Sequence, residues 1–292
     1  MTTTQSRDID YLDHAVILTT DLDGLAARYA DLGFTLGPYS AHLLAPESGA
    51  EPIASNTANR CVLFGETYLE LLGIVDESAP DPWRVGPVAA QREGLRGLVF
   101  GCGDADVVAR RLESRHLAAG GVLALEREVD TVDGPRTMAA RSVHATHRSG
   151  GWLGVAQQLT PRYLHQPRYL THANGARGLD SVVLVVEDER LADEVRCYTE
   201  LLDLAPRVDS GRHHFDLRAG RVELVAASAF TGDLPGGSHA GLPSFAVARI
   251  AVADPAYARE LVHGNGIRTH DRPGGFAVDA VDAFGVHLEF VA

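Results

Sequence analysis

Four times along this chain a short apolar run ends at an aspartate and gives way to a helical pattern. The first copy spans residues 12–34: Leu12-Asp13-His14 opens the run, Asp21 stops it, and apolar residues recur at Leu22, Leu25, Ala26, Tyr29 and Leu32, the spacing of one helical face. Gly33 then supplies a left-handed stop. The run ending at Asp104 repeats the pattern, as do those ending at Asp188 and Asp254. A chain that repeats one supersecondary unit is constrained to a fold built from copies of it.

After each helix come further strands. In unit one a polar connection over residues 42–59 leads to strands at 60–64 and 68–74, joined as a hairpin by Gly65-Glu66-Thr67. Unit two places strands near 125–129, 138–145 and 152–159, with Asp133-Gly134-Pro135 as a turn. Unit three places them at 213–218 and 221–226, and unit four at 276–281 and 286–291. Helices are expected near 104–117, 189–202 and 255–263. The arm at 161–172, in which Pro-Arg-Tyr-Leu occurs twice, divides the chain into an expected first domain at 1–165 and a second at 166–292. Its tyrosines and arginines suit it to lie across one wall of the first half.

Glu70 stands in the middle of an apolar strand, where a carboxylate needs solvent or a partner. Glu223 and Glu289 stand in corresponding strands, and Gln157 is read as their counterpart in unit two. His14 by itself could be a structural histidine bonded to a carbonyl; with Glu70 in the same unit, the two support each other as a site. Arg221 beside Glu223, and the chain end beside Glu289, suggest salt-bridged or solvated carboxylates. His144 and His147 are three apart near a strand end and read as surface residues, and His213-His214 fails as a ligand pair because neighbours on a strand face opposite ways. Trp83 and Trp152 read as packing residues.

Four β-α-β-β-β units with a histidine on a first strand and a glutamate on a last strand resemble the vicinal oxygen chelate superfamily, in its glyoxalase-like branch. Leu12-Asp13-His14, Thr57-Ala58-Asn59-Arg60, Phe64-Gly65, the run Tyr68-Leu69-Glu70-Leu71-Leu72-Gly73 and the segment 172–176 carry the likeness, closely over units one and two and in architecture over three and four. The resemblance implies an α+β fold of two tandem halves, with curved mixed sheets and helices outside. It also implies a divalent metal (Mn²⁺, Fe²⁺ or Zn²⁺) that acts as a Lewis acid on a substrate with adjacent oxygens. Position by position, the ligands would be His14, Glu70 and Gln157 if units one and two pair. If units one and four pair they would be His14, Glu70 and Glu289. Gly97, Ser181 and Val247 stand at the other first-strand positions, so no pair of units carries a full set. An extradiol oxygenase, which needs two histidines and a carboxylate, is disfavoured.

Glu70 is the expected catalytic carboxylate, and His42, Asn59, Arg60 and Tyr68 the expected substrate contacts. For His42, Asn59 and Arg60, a plain role as turn and strand-edge residues stands level with that one. Two functions remain open: a metal-dependent lyase, isomerase or oxygenase, which retention of His14 and Glu70 favours, and a metal-free binding protein for sequestration or resistance, which the missing ligands favour. The net charge of −13 excludes a general nucleic-acid or anionic-membrane binder. No signal-peptide core and no membrane-length run are seen, and the three cysteines are scattered, which together suit the cytoplasm. The expected partners are a small molecule and, at most, a second copy in a homodimer.

Overall fold

The computed structural model describes residues 7–44, 53–81, 85–118, 120–146, 150–230 and 241–292. Trp83, His147, and parts of the connections after residue 44 and after residue 230 lie outside them.

Each unit is built as its sequence pattern directs. In unit one, strand β1 (Ile9–Thr19) leads into helix α1 (Leu22–Asp31), whose first turn is closed by Asp21 accepting from the Gly24 N–H at 2.9 Å. A cap of this kind contributes about 1 kcal/mol. Gly33, at φ +89°, ends the helix. Strands β2 (Ser40–Leu44), β3 (Ile53–Leu63) and β4 (Tyr68–Ile74) follow. The short helix α2 (Gly86–Ala89) precedes unit two, which comprises β5 (Gly94–Cys102), α3 (Ala105–Ser114), β6 (Leu123–Thr131), β7 (Gly134–His144) and β8 (Trp152–Gln158). Asp104 caps α3. The arm folds as α4 (Pro161–Leu164) and a single 3₁₀ turn.

Unit three has β9 (Ala176–Val186), α5 (Leu191–Leu202), β10 (Arg207–Asp209), β11 (Arg212–Asp216) and β12 (Arg221–Ala226). Unit four has β13 (Ser244–Val252), α6 (Pro255–Gly264), β14 (His270–Arg272), β15 (Gly275–Val278) and β16 (His287–Val291). Asp254 caps α6, whereas Asp188 opens a 3₁₀ turn and accepts from the Ser228 N–H at 3.0 Å. The strands the sequence leaves unmarked, β2, β10 and β14, are short edge strands of three to five residues. The connection expected over 42–59 is shorter than its sequence suggests, because β3 already begins at Ile53 and carries Asn59 in its middle.

Two eight-stranded sheets result, in the orders β2-β3-β4-β1-β5-β8-β7-β6 and β10-β11-β12-β9-β13-β16-β15-β14. Units one and two therefore share one sheet, and the alternative pairing of units one and four does not occur. In each sheet the units meet along a central antiparallel pair, β1 with β5 and β9 with β13, while first and last strands within a unit run parallel. Register shifts interrupt both central pairs. One falls between Leu12 and His14 and so leaves Asp13 on a bulge; Asp180, between Leu179 and Ser181, lies on the matching one.

Helices α1, α3, α5 and α6 all pack on the convex faces, and all but Ala26 among their buried apolar residues belong to one continuous apolar cluster that spans both halves. Phe34 and Phe290 stack within it at 5.9 Å. At its margin Leu12 N–H donates to Ala219 at 2.8 Å, and Arg218 pairs with Asp10 and Glu66. Among the described residues, no helix is long and apolar enough to cross a membrane.

Candidate functional site

The concave face of the first sheet opens as a cleft of about 210 Å³. Strand alternation decides what reaches it. On β1, His14 and Val16 face the cleft while Ala15 and Ile17 face the helices. The bulge at Asp13 breaks this alternation and swings the aspartate beside the histidine. Asp13 is fully buried and accepts from His14 Nδ1 at 2.6 Å and from Gln158 Nε2 at 3.2 Å. This fixes the imidazole proton on Nδ1 and turns the Nε2 lone pair into the cleft. Tyr68, level with His14 on the neighbouring strand, stacks on the ring at 4.3 Å. Burial pushes its phenol well above the ordinary range.

Glu70 stands two residues beyond Tyr68, with Oε2 3.5 Å from His14 Nε2. Its other oxygen accepts from Asn59 Nδ2 at 2.6 Å and lies 3.6 Å from His42 Nε2. Asn59 Nδ2 also donates to His42 Nε2 at 3.0 Å, which leaves the His42 proton on Nδ1, bonded to Thr57 Oγ1 at 2.9 Å. Burial holds His42 below the ordinary imidazole range, with the Glu70 charge opposing the shift. Arg127 reaches from β6 to Asn59 Oδ1 at 3.4 Å and so ties the two borders of the open barrel together. Cys61 lies beneath, its thiol pushed up to about 12 by burial. The apolar part of the remaining wall includes Leu72, Val99, Leu125, Met138, Trp152 and Leu164.

His14, Glu70, His42, Asn59 and Tyr68 thus come together as the sequence suggests. Two expected residues do not. Gln157 lies on the opposite face, where its amide donates to the Gly103 carbonyl at 2.8 Å and accepts from the Ala105 N–H at 3.2 Å at the start of α3. The register shows why: Tyr68 is level with His14 and Trp152 with Gly97, so the counterpart of Glu70 is Gly154. Gln158, next to Gln157, is the glutamine in the cleft. Arg60 follows Asn59 on β3 and so points the other way, its guanidinium donating to the Gly37 carbonyl at 3.2 Å.

Three contributors escape the sequence reading. Arg127 sits on an alternating strand of charges that marks an exposed edge. His144 lines the cleft rather than the outer surface. Trp152 lies over Gly97, where a β-carbon would be only 2.5 Å from the indole, and this fills the place in unit two that corresponds to His14 in unit one. The arm packs where its composition suggests: Leu164 lines the cleft, and Tyr163 and Tyr169 join Cys61 and Met138 in a cluster at its floor. His172 is structural, accepting from the Thr35 N–H and donating to the Leu63 carbonyl, each at 3.0 Å.

The donors can be tested against a divalent ion. His14 and Glu70 offer two, and at the corresponding places unit two offers Gly97 and Gly154. His42 Nε2 is taken by Asn59. Among the described residues, no group of three or more His, Cys, Asp and Glu is disposed to hold a metal. Two protein donors leave a divalent ion largely hydrated and easily lost. As arranged, these residues do not fit a tightly held metal.

Comparison with known proteins supports the architecture. A solved hypothetical protein from Staphylococcus aureus has a TM-score of 0.67 at 11% identity, covering 97% of this chain and 99% of its own. A mutant 4-hydroxymandelate synthase from Streptomyces coelicolor gives 0.59 at 14%, covering 91% and 78%. A fusion of a xylose isomerase-like TIM barrel with 4-hydroxyphenylpyruvate dioxygenase gives 0.57 at 14%, covering 92% of this chain but 41% of that one. At such identities the likeness is one of fold. No curated protein matches in sequence. The family described as glyoxalase-like domain matches residues 12–221, from the first strand of unit one to the start of β12. This chain belongs to the glyoxalase-like domain family.

Proposed function

We propose that the cleft of the first half binds a small molecule with a flat apolar body and adjacent oxygens, and that His14 and Glu70 exchange protons with it. The observation that carries this reading is the pair of acceptors facing each other across 3.5 Å. Asp13 holds the His14 proton on Nδ1, so Nε2 and Glu70 Oε2 both present lone pairs and call for a donor between them. A hydroxyl or enolic O–H is such a donor. Arg127, whose Nε has no partner, supplies N–H groups for a second oxygen, and the ledge formed by Trp152, Val99 and Met138 suits a planar body. His14 Nε2 then accepts a proton from the bound molecule, with Asp13 holding the resulting imidazolium, and that proton passes to the Glu70 carboxylate 3.5 Å away and back to a different atom of the same molecule. This is the chemistry of an isomerase or lyase. One structural neighbour is named for 4-hydroxymandelate, an aromatic hydroxy acid, which is a molecule of the required shape.

The test is a panel of aromatic hydroxy and keto acids, 4-hydroxymandelate among them, titrated into the purified chain by calorimetry. We expect binding that His14→Ala and Glu70→Gln each weaken about tenfold or more, the loss expected when a charge-assisted hydrogen bond is removed. Binding that both variants retain, or none across the panel, would discard the reading.

A second reading places a divalent ion on His14, Glu70 and His42, favoured by the approach of His42 Nε2 to 3.6 Å from Glu70. It requires Asn59 to release both partners. Metal analysis of protein purified without a His tag separates the two. More than about a tenth of an equivalent, abolished by His14→Ala and by His42→Ala, would favour the ion.

A further inference from the structure

The unit-two wall of the first cleft carries a polar group that no contact of the fold engages. On β7, Arg141 bonds Asp106 of α3 at 2.8 Å and Val143 joins the apolar cluster beneath the helices, so by alternation Ala140, Ser142 and His144 face the cleft. Ser142 Oγ is buried there and has no hydrogen-bond partner. The strands beside it explain why. Ser142 is level with Ala156 on β8 and with Leu123 on β6, neither of which offers a side-chain donor or acceptor.

Register shows what the position corresponds to. Asn59 is level with Leu72, two residues beyond Glu70, and Ser142 is level with Ala156, two residues beyond Gly154. Ser142 therefore stands in unit two where Asn59 stands in unit one. Asn59 has Glu70 to hold, whereas Gly154 leaves Ser142 no side chain to bond. Want of space does not explain that glycine: a β-carbon there would meet its nearest neighbours, the Val143 carbonyl and Val99, at 3.6 and 3.7 Å, ordinary contact distances. The small residues Ala140, Gly154 and Ala156 thus line the cleft around the unpaired hydroxyl, and His144 borders it from the position level with Gly154.

We infer that Ser142 is a specificity-determining residue, which bonds a neutral hydroxyl or carbonyl on the part of the ligand remote from His14 and Glu70. The inference rests on the proposed reading of this cleft as the site of a flat molecule that exchanges protons with those two residues. Ser142 lies three strands from His14 along the curved sheet, in the order β1-β5-β8-β7. A buried hydroxyl left unpaired is costly, and a ligand group that pairs it removes the penalty on binding. The hydroxyl both donates and accepts, so a ring hydroxyl or a carbonyl satisfies it equally. A second carboxylate does not suit this spot, because Arg141 is held by Asp106 on the other face and one serine does not compensate a buried charge. The ligand class narrows to aromatic acids that carry a neutral oxygen on the ring. A site built to bond an oxygen rejects the analogue that lacks it.

The experiment is calorimetric titration of aromatic hydroxy and keto acids, in pairs that differ only by a ring hydroxyl, into the wild-type chain and Ser142→Ala. We expect the ring hydroxyl to strengthen binding to wild type about three- to tenfold, the net effect of one neutral hydrogen bond, and to make no difference in Ser142→Ala. The melting temperature of unliganded Ser142→Ala should equal or exceed that of wild type, since the variant loses only an unpaired group. A preference for the ring hydroxyl that Ser142→Ala retains, or no preference in wild type, overturns the inference and leaves the reading of His14 and Glu70 standing. A lowered melting temperature with the preference unchanged overturns it in the same way, by giving the hydroxyl a purely structural role. Absence of binding across all the pairs overturns both.

Discussion

Asp13 is the residue on which the first cleft turns. It is the aspartate of an apolar strand, and only the bulge at its own position brings it to the histidine beside it. Asp13→Asn should let the new amide donate to Nδ1, move the imidazole proton to Nε2 and turn its lone pair away from Glu70. We expect the ¹⁵N shifts of His14 to report the exchanged tautomer and ligand affinity to fall about tenfold. Unchanged shifts would mean that Asp13 does not set the ring. Arg60 offers the opposite case, since Arg60→Ala should leave binding unaltered while Asn59→Ala weakens it. His14 and Glu70 were legible in the sequence because a repeat aligns them and because an apolar strand makes a lone carboxylate conspicuous. Gln157 was misassigned because a count along the strand misses the register, which sets Trp152 level with Gly97 and so puts Gly154, not a glutamine, in the place of Glu70. Arg249 could not be read at all. It bonds Glu223 and Glu289 at 2.6 Å each, and only the paired sheet brings these glutamates from different units to one guanidinium.

At the scale of elements, caps and stops were the most legible features, since Asp21, Asp104 and Asp254 act through atoms two or three residues away. The edge strands β2, β10 and β14 were not, because three to five residues give no periodicity to count. Where β5 meets β8, Gly97 leaves room for Trp152. Gly97→Ala should cost about 1–3 kcal/mol by urea denaturation and push the indole into the cleft, shifting its fluorescence. Between α1 and the arm, His172 adds a pH dependence. Burial lowers its pKa in the fold, so the unfolded chain binds the proton more readily. The stability it contributes is complete above the ordinary imidazole value of about 6.5 and falls as the pH drops from there through the lower folded value. His172→Gln should flatten that part of the stability profile, measured by urea titration between about pH 7.5 and 5.

At the scale of the whole molecule, the apolar cluster shared by the four long helices makes the halves one folding unit. Phe290, in the second half, stacks on Phe34 of the first. Both tryptophans belong to the first half. Phe290→Ala should therefore cost about 3–5 kcal/mol, and tryptophan fluorescence should record the same loss as far-ultraviolet dichroism. Two separate transitions, with fluorescence untouched, would show the halves to be independent. The central pairing of β1 with β5 has a chemical corollary. It relates the two ends of the cleft by an approximate twofold, yet one end holds the imidazole and carboxylates and the other holds Gly97 under an indole. A guest with two similar termini has only one productive way round, so the fold selects which end of the molecule reacts. From a near-symmetric frame comes a regioselective site.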